Sequence, residues 1–487
     1  MKKIIGILLI VLGLSSCNDW LDVNPKSQID KNKLFSDETG FFNALNGIYQ
    51  QGADGSLYGQ TLSWGMLSVL SQQYDGNDYH TLNTNEAYFY EYDYESEYTK
   101  PIIQSVWDGL YNEIAGCNLL LKEVEAAKPG MFTLDSVTRN LIMGETMALR
   151  AFFHFDIVRM FAPAPILQDQ TPLIPYQAEW QSVVKPSLSV NDLLDKVLAD
   201  LLKAKNLVAL NDTIVHLMPM RYGYEGRFGA TYNSGDGSFF DHRGYRMNYY
   251  AILGLLSKVY LYKGDTDNAL RYASELYDNF VVQKKWLKIK SDYTSSENQR
   301  QKKHLDDCLF AFYNANLLTI YGNYTKDNDL RLLGVDDIYA GDENDYRKLY
   351  LLEKNEDAGY YTSLRYKQVG NGDRDNYEGR AIPVLRLSEI YHIMVECLYD
   401  KGMEAEALAI LKELRMSRGA NREIESVSGK DDLLNIIVND ARREFVGEGQ
   451  LFFYYKRLNK GIKTDGSEII PDNKIFTFKI PESQNVF

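Results

Sequence analysis

The sequence predicts a mainly α protein built as a single domain. Three observations carry that prediction. Eight segments repeat apolar residues at helical spacing, a helix–Gly–helix unit occurs twice, and no strand pattern of comparable length competes with them. The 487-residue length alone would admit two or three domains. Only 12 prolines and no Ser/Gly-rich run break the chain, so no linker is expected beyond residue 33.

The helical segments follow in order. In 40–50 (GFFNALNGIYQ), Phe41, Leu45 and Ile48 share one face, with Phe42 and Tyr49 beside them. Residues 106–126 and 141–161 repeat apolar positions at three and four, and the breakers APAP close the second. Segments 190–209, 248–262, 267–280, 385–400 and 404–418 complete the set. Two of them match at an offset of 138 residues: YLYKGDTDNALRYASELY (260–277) and LYDKGMEAEALAILKELR (398–415). Gly264 aligns with Gly402, and Ala269-Leu270 with Ala407-Leu408. A glycine turn between helices whose small residues permit close approach is the tetratricopeptide pattern. The two copies are not adjacent, so long segments must interrupt the array. Loops are expected over about 51–100, 210–247 and 285–380, where Gly, Asn, Asp and Tyr replace periodicity. Their aromatic content argues against disorder.

The N-terminus reads as a leader. Lys2 and Lys3 precede an apolar run from Ile4 to Leu14, too short at ~1.5 Å per residue to cross a ~30 Å hydrocarbon core. Residues 1–16 are therefore expected to be a signal peptide. Leu14-Ser15-Ser16-Cys17 resembles a bacterial lipobox, which implies lipidation of Cys17 and a tether over 17–33 ahead of a helical domain over 34–487. Two or more acyl chains anchor stably, so membrane contact is expected through the lipid alone. Loss of the two leader lysines moves the formal charge from −14 to about −16. An acidic body argues against nucleic acid as a partner. Cys117, Cys308 and Cys397 lie in apolar contexts and read as small buried hydrophobes.

Catalytic signals are missing. The six histidines show no HxH or HxxxH spacing, and His154 in AFFHFDI reads as a satisfied core residue. GDGS (235–238) and GNGD (370–373) read as turns. Asp75-Gly76-Asn77-Asp78 lacks the ligand spacing of an EF-hand loop. No catalytic residue, metal or cofactor is assigned, and the chain is read as a non-enzyme. The charged residues of ARREF and EGQLFFYYKR are expected to pair internally. Binding chemistry is better supplied. YFYEYDYESEY (88–98) alternates, and as a strand it would present Tyr88, Tyr90, Tyr92, Tyr94 and Tyr98 on one face, either to the core or to a ligand. Upstream, Trp64, Tyr74, Asp75, Asn77, Asp78 and Tyr79 mix rings with carboxylates and an amide.

Six segments stand in order: Cys17 followed by DWLDVNPKSQI, WDGLYNEIAGCN (107–118), MALRAFFHFDIVRMFAPAPI (147–166), the hairpin 250–280, LRLSEIYHIMVECLYDKG (385–402) and ARREFVGEGQLFFYYKRLNKG (441–461). Together they resemble the SusD/RagB family of surface nutrient-binding lipoproteins. Leu451 and Tyr454 depart from the pattern where the family often has arginine and aspartate. The resemblance implies one SusD-like domain on four tetratricopeptide-like hairpins with long loop insertions. It implies an outer-membrane lipoprotein facing the cell exterior that binds a nutrient, a glycan or oligosaccharide before a peptide, and delivers it to a TonB-dependent SusC-like transporter. A repeat-based surface protein that binds other proteins is the rival reading. In the family, the ligand site combines N-terminal loops with the long insert, which here carries Tyr321, Asn323 and Tyr324. These residues are expected to converge with the 63–80 segment and with Tyr90 and Tyr92.

Overall fold

The computed structural model describes residues 31–180, 185–229, 231–289, 301–368 and 378–482. The leader, Cys17, most of the tether and the 370–373 turn lie outside the described residues. Ten principal helices are α1 (Glu38–Gly52), α2 (Lys100–Ala126), α3 (Ser136–Phe161), α4 (Val190–Leu210), α5 (Tyr249–Lys263), α6 (Thr266–Leu276), α7 (Leu387–Asp400), α8 (Glu404–Ser417), α9 (Lys430–Glu444) and α10 (Leu451–Leu458). From α1 to α8 each helix packs on the next, which gives four consecutive helical pairs. Short polar caps set several starts. The side chains of Asp37, Ser189, Asn248 and Asp265 each accept a backbone N–H from the first turn. Gly264 (φ 90°) and Gly402 (φ 75°) turn the chain out of α5 and α7, so the shared glycine marks the same left-handed stop in both copies.

Helix α3 is the centre of the array and is buried on nearly every side. Several of its polar groups bond to neighbouring segments. Arg150 forks onto Asp200 of α4 at 2.7 and 2.9 Å, and Asp156 accepts the Tyr58 hydroxyl at 2.6 Å. His154 Nδ1 lies 2.9 Å from the Arg150 carbonyl, and its Nε2 accepts the Gln177 N–H at 3.0 Å. Burial pushes this imidazole down to about 3, the satisfied core histidine expected from its apolar setting. Cys117, Cys308 and Cys397 are buried free thiols.

The inserted segment between α6 and α7 adds the one six-residue strand pair among the described residues. In it β1 (Cys308–Tyr313) runs antiparallel to β2 (Ala381–Arg386), with Phe312 opposite Ile382. Helix α9 packs on α7, and α10 packs on α9. The two departures near the end are structural: Leu451 is buried, and the Tyr454 hydroxyl lies 2.9 Å from His392 Nδ1. No helix among the described residues is long and apolar enough to cross a membrane.

The 88–98 strand is corrected. Thr84–Tyr90 is a helix, because Asn83 accepts the Glu86 N–H at 3.0 Å and completes a capping signal that overrides the alternation. Tyr92 then takes a left-handed turn at φ 58°. The tyrosines consequently scatter: Tyr88 stacks on Tyr98 at 4.7 Å, while the Tyr94 hydroxyl donates to the Ile475 carbonyl at 2.6 Å.

Candidate functional site

The structure brings the 63–80 segment and Thr81 against the insert. The contact is made by backbone. Tyr74 bridges to Leu332, and Leu332 bridges to Tyr361. Asp75 N–H donates to the Arg331 carbonyl (2.9 Å), Leu333 to Gln73 (2.9 Å), Asp329 to His80 (2.8 Å) and Leu330 to Thr81 (3.2 Å). Main-chain pairing of this kind fixes two irregular segments in register without demanding a particular side chain.

Under this seam lies an aromatic floor. Trp64 is 1% exposed and meets Tyr321 and Tyr324 edge-on at 5.2 and 5.1 Å. Tyr321 is 5.6 Å from Tyr366, whose hydroxyl donates to the Gly447 carbonyl at 3.1 Å. Tyr74, 3% exposed, donates to the Trp64 carbonyl at 2.9 Å. Burial holds the Tyr74, Tyr321 and Tyr366 hydroxyls above their ordinary range, so they stay neutral. Tyr324 donates to Glu86, a carboxyl that burial raises to about 8. Trp64 and Tyr74 therefore support the site from beneath, out of a ligand's reach.

Above the floor opens a cleft of about 710 Å³. Tyr321 and Tyr366 form its base, and Asp329, Glu353, Asn355 and Tyr360 stand on its rim. The rim is carried by a hairpin in which Leu352–Lys354 pairs with Tyr361–Ser363. Arg331 organises one wall. It pairs with Asp78 and with Asp329 (2.8 Å), and its guanidinium lies 4.3 Å over the Tyr360 ring. The Tyr360 hydroxyl also donates to Asp329 at 3.3 Å and accepts from Asn355 Nδ2 at 3.1 Å. Lys367 joins Glu353 (2.5 Å) to the Thr362 hydroxyl (2.9 Å). The cleft thus offers one pinned ring and a set of oriented polar groups, an arrangement suited to an uncharged, hydroxyl-rich molecule. No group of three or more His, Cys, Asp or Glu able to hold a metal occurs among the described residues.

The remaining predicted residues fall elsewhere. Asp75 and Asp78 build the turn, accepting the N–H of Asn77 (3.2 Å) and His80 (2.9 Å). Tyr79 stands out at 84% exposure, its ring tilted against His80 at 3.9 Å. Asn323 is exposed and accepts from Lys326 at 3.0 Å. Asn77, Tyr90 and Tyr92 line a separate depression together with the hairpin turn at 464–467. Tyr360, Glu353, Asn355 and Arg331 were not singled out from sequence. The run LLEKNEDAGYY (351–361), with turn residues between two short apolar stretches, was the available signal.

A family model described as "Starch-binding associating with outer membrane" matches residues 19–221, and the model of the SusD family matches residues 239–482. A SusD-like protein of Formosa agariphila is 21% identical, over 94% of this chain and 92% of its own length. Among solved structures, a SusD superfamily protein from Bacteroides vulgatus superposes with a TM-score of 0.67 at 20% identity, covering 92% of this chain and 96% of that one. A SusD-like carbohydrate binding protein from the same organism gives 0.65 at 17% identity, covering 92% and 96%.

Proposed function

The chain belongs to the SusD family, and from that premise we propose that it captures an oligosaccharide in the 710 Å³ cleft. The single observation carrying this reading is the rim built on Tyr360. One face of its ring is held by Arg331, and its hydroxyl is engaged by Asp329 and Asn355. An aromatic ring fixed before binding, ringed by amide and carboxylate groups, supplies a stacking face at little entropic cost. The cleft volume falls within the range of small-molecule sites. Tyr321 and Tyr366 act as its base, with Trp64 and Tyr74 as the packing beneath.

The same reading extends to delivery. Lipidated at Cys17 and held at the outer face of the outer membrane, the protein passes its ligand to a SusC-like TonB-dependent transporter. It binds without turnover. Glycan-array screening of the soluble chain lacking residues 1–17, followed by calorimetry, tests the capture step. Tyr360→Ala is expected to weaken the best ligand by roughly 1–3 kcal/mol with the melting temperature unchanged. Unaltered affinity, or absence of any glycan ligand, would sink the proposal. Co-purification of the full-length chain with a large β-barrel tests the delivery step.

A further inference from the structure

Across the 75–79 turn from the cleft lies the second depression, of about 500 Å³. Its walls are Gln72, Asn77, Tyr90, Glu91, Tyr92 and Asp465. Two features mark it as built rather than incidental. Gln72 (φ 55°) and Tyr92 (φ 58°) both hold left-handed backbone, a conformation that costs a bulky residue and persists only when the surroundings impose it. These two strained residues are bonded to each other: Gln72 Nε2 donates to the Tyr92 hydroxyl at 3.2 Å and to the Tyr90 carbonyl at 3.0 Å. The Tyr92 hydroxyl in turn donates to the Leu70 carbonyl at 2.8 Å. The second feature is Gly76. A Cβ there would lie 2.4 Å from the Tyr90 ring, so only glycine lets the turn press its backbone against that ring. Both tyrosines are thereby immobilised beside an amide and two exposed carboxylates, Glu91 and Asp465.

The turn itself joins the two concavities. Asn77 lines the depression, while the next residue, Asp78, holds the Arg331 that covers Tyr360 in the cleft. Tyr79 follows, almost fully exposed. We infer that the depression is a second carbohydrate subsite, and that the ligand is an oligosaccharide long enough to pass over this ridge from cleft to depression. The inference rests on the capture reading above and adds to it a minimum chain length and a role for the 464–467 turn.

The test is calorimetry on the chain lacking residues 1–17, with α-linked glucan, β-linked glucan and β-linked mannan oligosaccharides of increasing length. Affinity is expected to climb with length and then level off. Tyr90→Ala should lower affinity for the longest oligomer about tenfold, the scale of a truncated aromatic anchor, and leave the shortest binder unchanged. Asp465→Ala, on an exposed turn remote from the core, should reduce the same length dependence without altering the melting temperature. If oligosaccharides bind but neither variant changes the dependence on length, the second subsite is wrong and the cleft stands. If no oligosaccharide binds the unmutated protein, both fall together.

Discussion

The inserted segment between α6 and α7 is tied to the rest of the protein by two ion-pair clusters of opposite character. At the rear, Glu444 of α9 accepts from Arg347 at 2.8 Å, Arg386 at 2.6 Å and Arg418 at 2.8 Å, and all four side chains are essentially unexposed. These arginines come from the insert, the end of β2 and the turn after α8. At the front, Arg331 pairs with Asp78 and Asp329 with side-chain exposures of 17%, 32% and 37%. The rear cluster has traded water for charge, so each member depends on the others. The front cluster keeps its water and shapes a binding surface. The difference separates what specifies the fold from what tunes the site.

Breaking the rear cluster should have the largest effect. Glu444→Ala leaves three buried guanidiniums short of a partner, at or above the roughly 3–5 kcal/mol of a single broken buried pair. Urea unfolding at neutral pH measures it, and a loss under about 1 kcal/mol would erase the distinction between the clusters. Acid should act in the same direction. Burial would raise the Glu444 carboxyl, but Arg418, Arg386 and Arg347 outweigh that and hold it well below the usual range. Its folded value is depressed, so its contribution is complete above the unfolded value of 4.5 and drains away as pH falls through the folded one.

Next comes the floor of the front region. Sequence reading places Trp64 among the binding candidates, a position where replacement by alanine would weaken binding and spare the fold. At 1% exposure the same change empties a core site and should cost about 3–5 kcal/mol, seen as a fall in melting temperature before any ligand is added.

A smaller effect, with a pH signature, is expected at the carboxyl under Tyr324. Burial raises Glu86 to about 8, so between the unfolded value of 4.5 and that point the folded state keeps a proton that the unfolded chain releases. Stability therefore falls as pH rises through this window. Glu86→Gln preserves the neutral form and should be the more stable protein well above pH 8 while differing little near pH 4. Parallel stability curves for the two proteins across that range would show that the carboxyl carries no such cost.

How much of this was legible follows from the kind of order each part has. The eight array helices could be read because their order is local: apolar spacing, polar caps and the Gly264 and Gly402 stops all sit within a few residues. The rear cluster was half legible. The arginines and glutamates of 441–448 were expected to pair internally, yet their partners Arg347, Arg386 and Arg418 stand 26 to 97 residues away. The site was least legible. Aromatic content marked segments that meet at the cleft but could not separate Trp64, which packs beneath it, from Tyr360, which stands on its rim. Burial of a ring is decided by what the insert lays over it. The tyrosine alternation of 88–98 failed for a related reason, because one capping signal at Asn83 outweighed a two-residue period.

The smallest expected effect lies at Arg331, and it sharpens the comparison most. Its pair with Asp78 is reached by water, so a double-mutant cycle of Arg331→Ala and Asp78→Ala should give a coupling of no more than about 1 kcal/mol in stability. The same arginine covers one face of Tyr360, whose hydroxyl shares Asp329 with it. Removing it frees the ring to rotate, and an anchor that must be ordered on binding contributes less than one already fixed. Arg331→Ala is therefore expected to leave the melting temperature within a few degrees while oligosaccharide affinity falls. A coupling above about 3 kcal/mol would make the front cluster another part of the fold, and the contrast between the two regions would be lost.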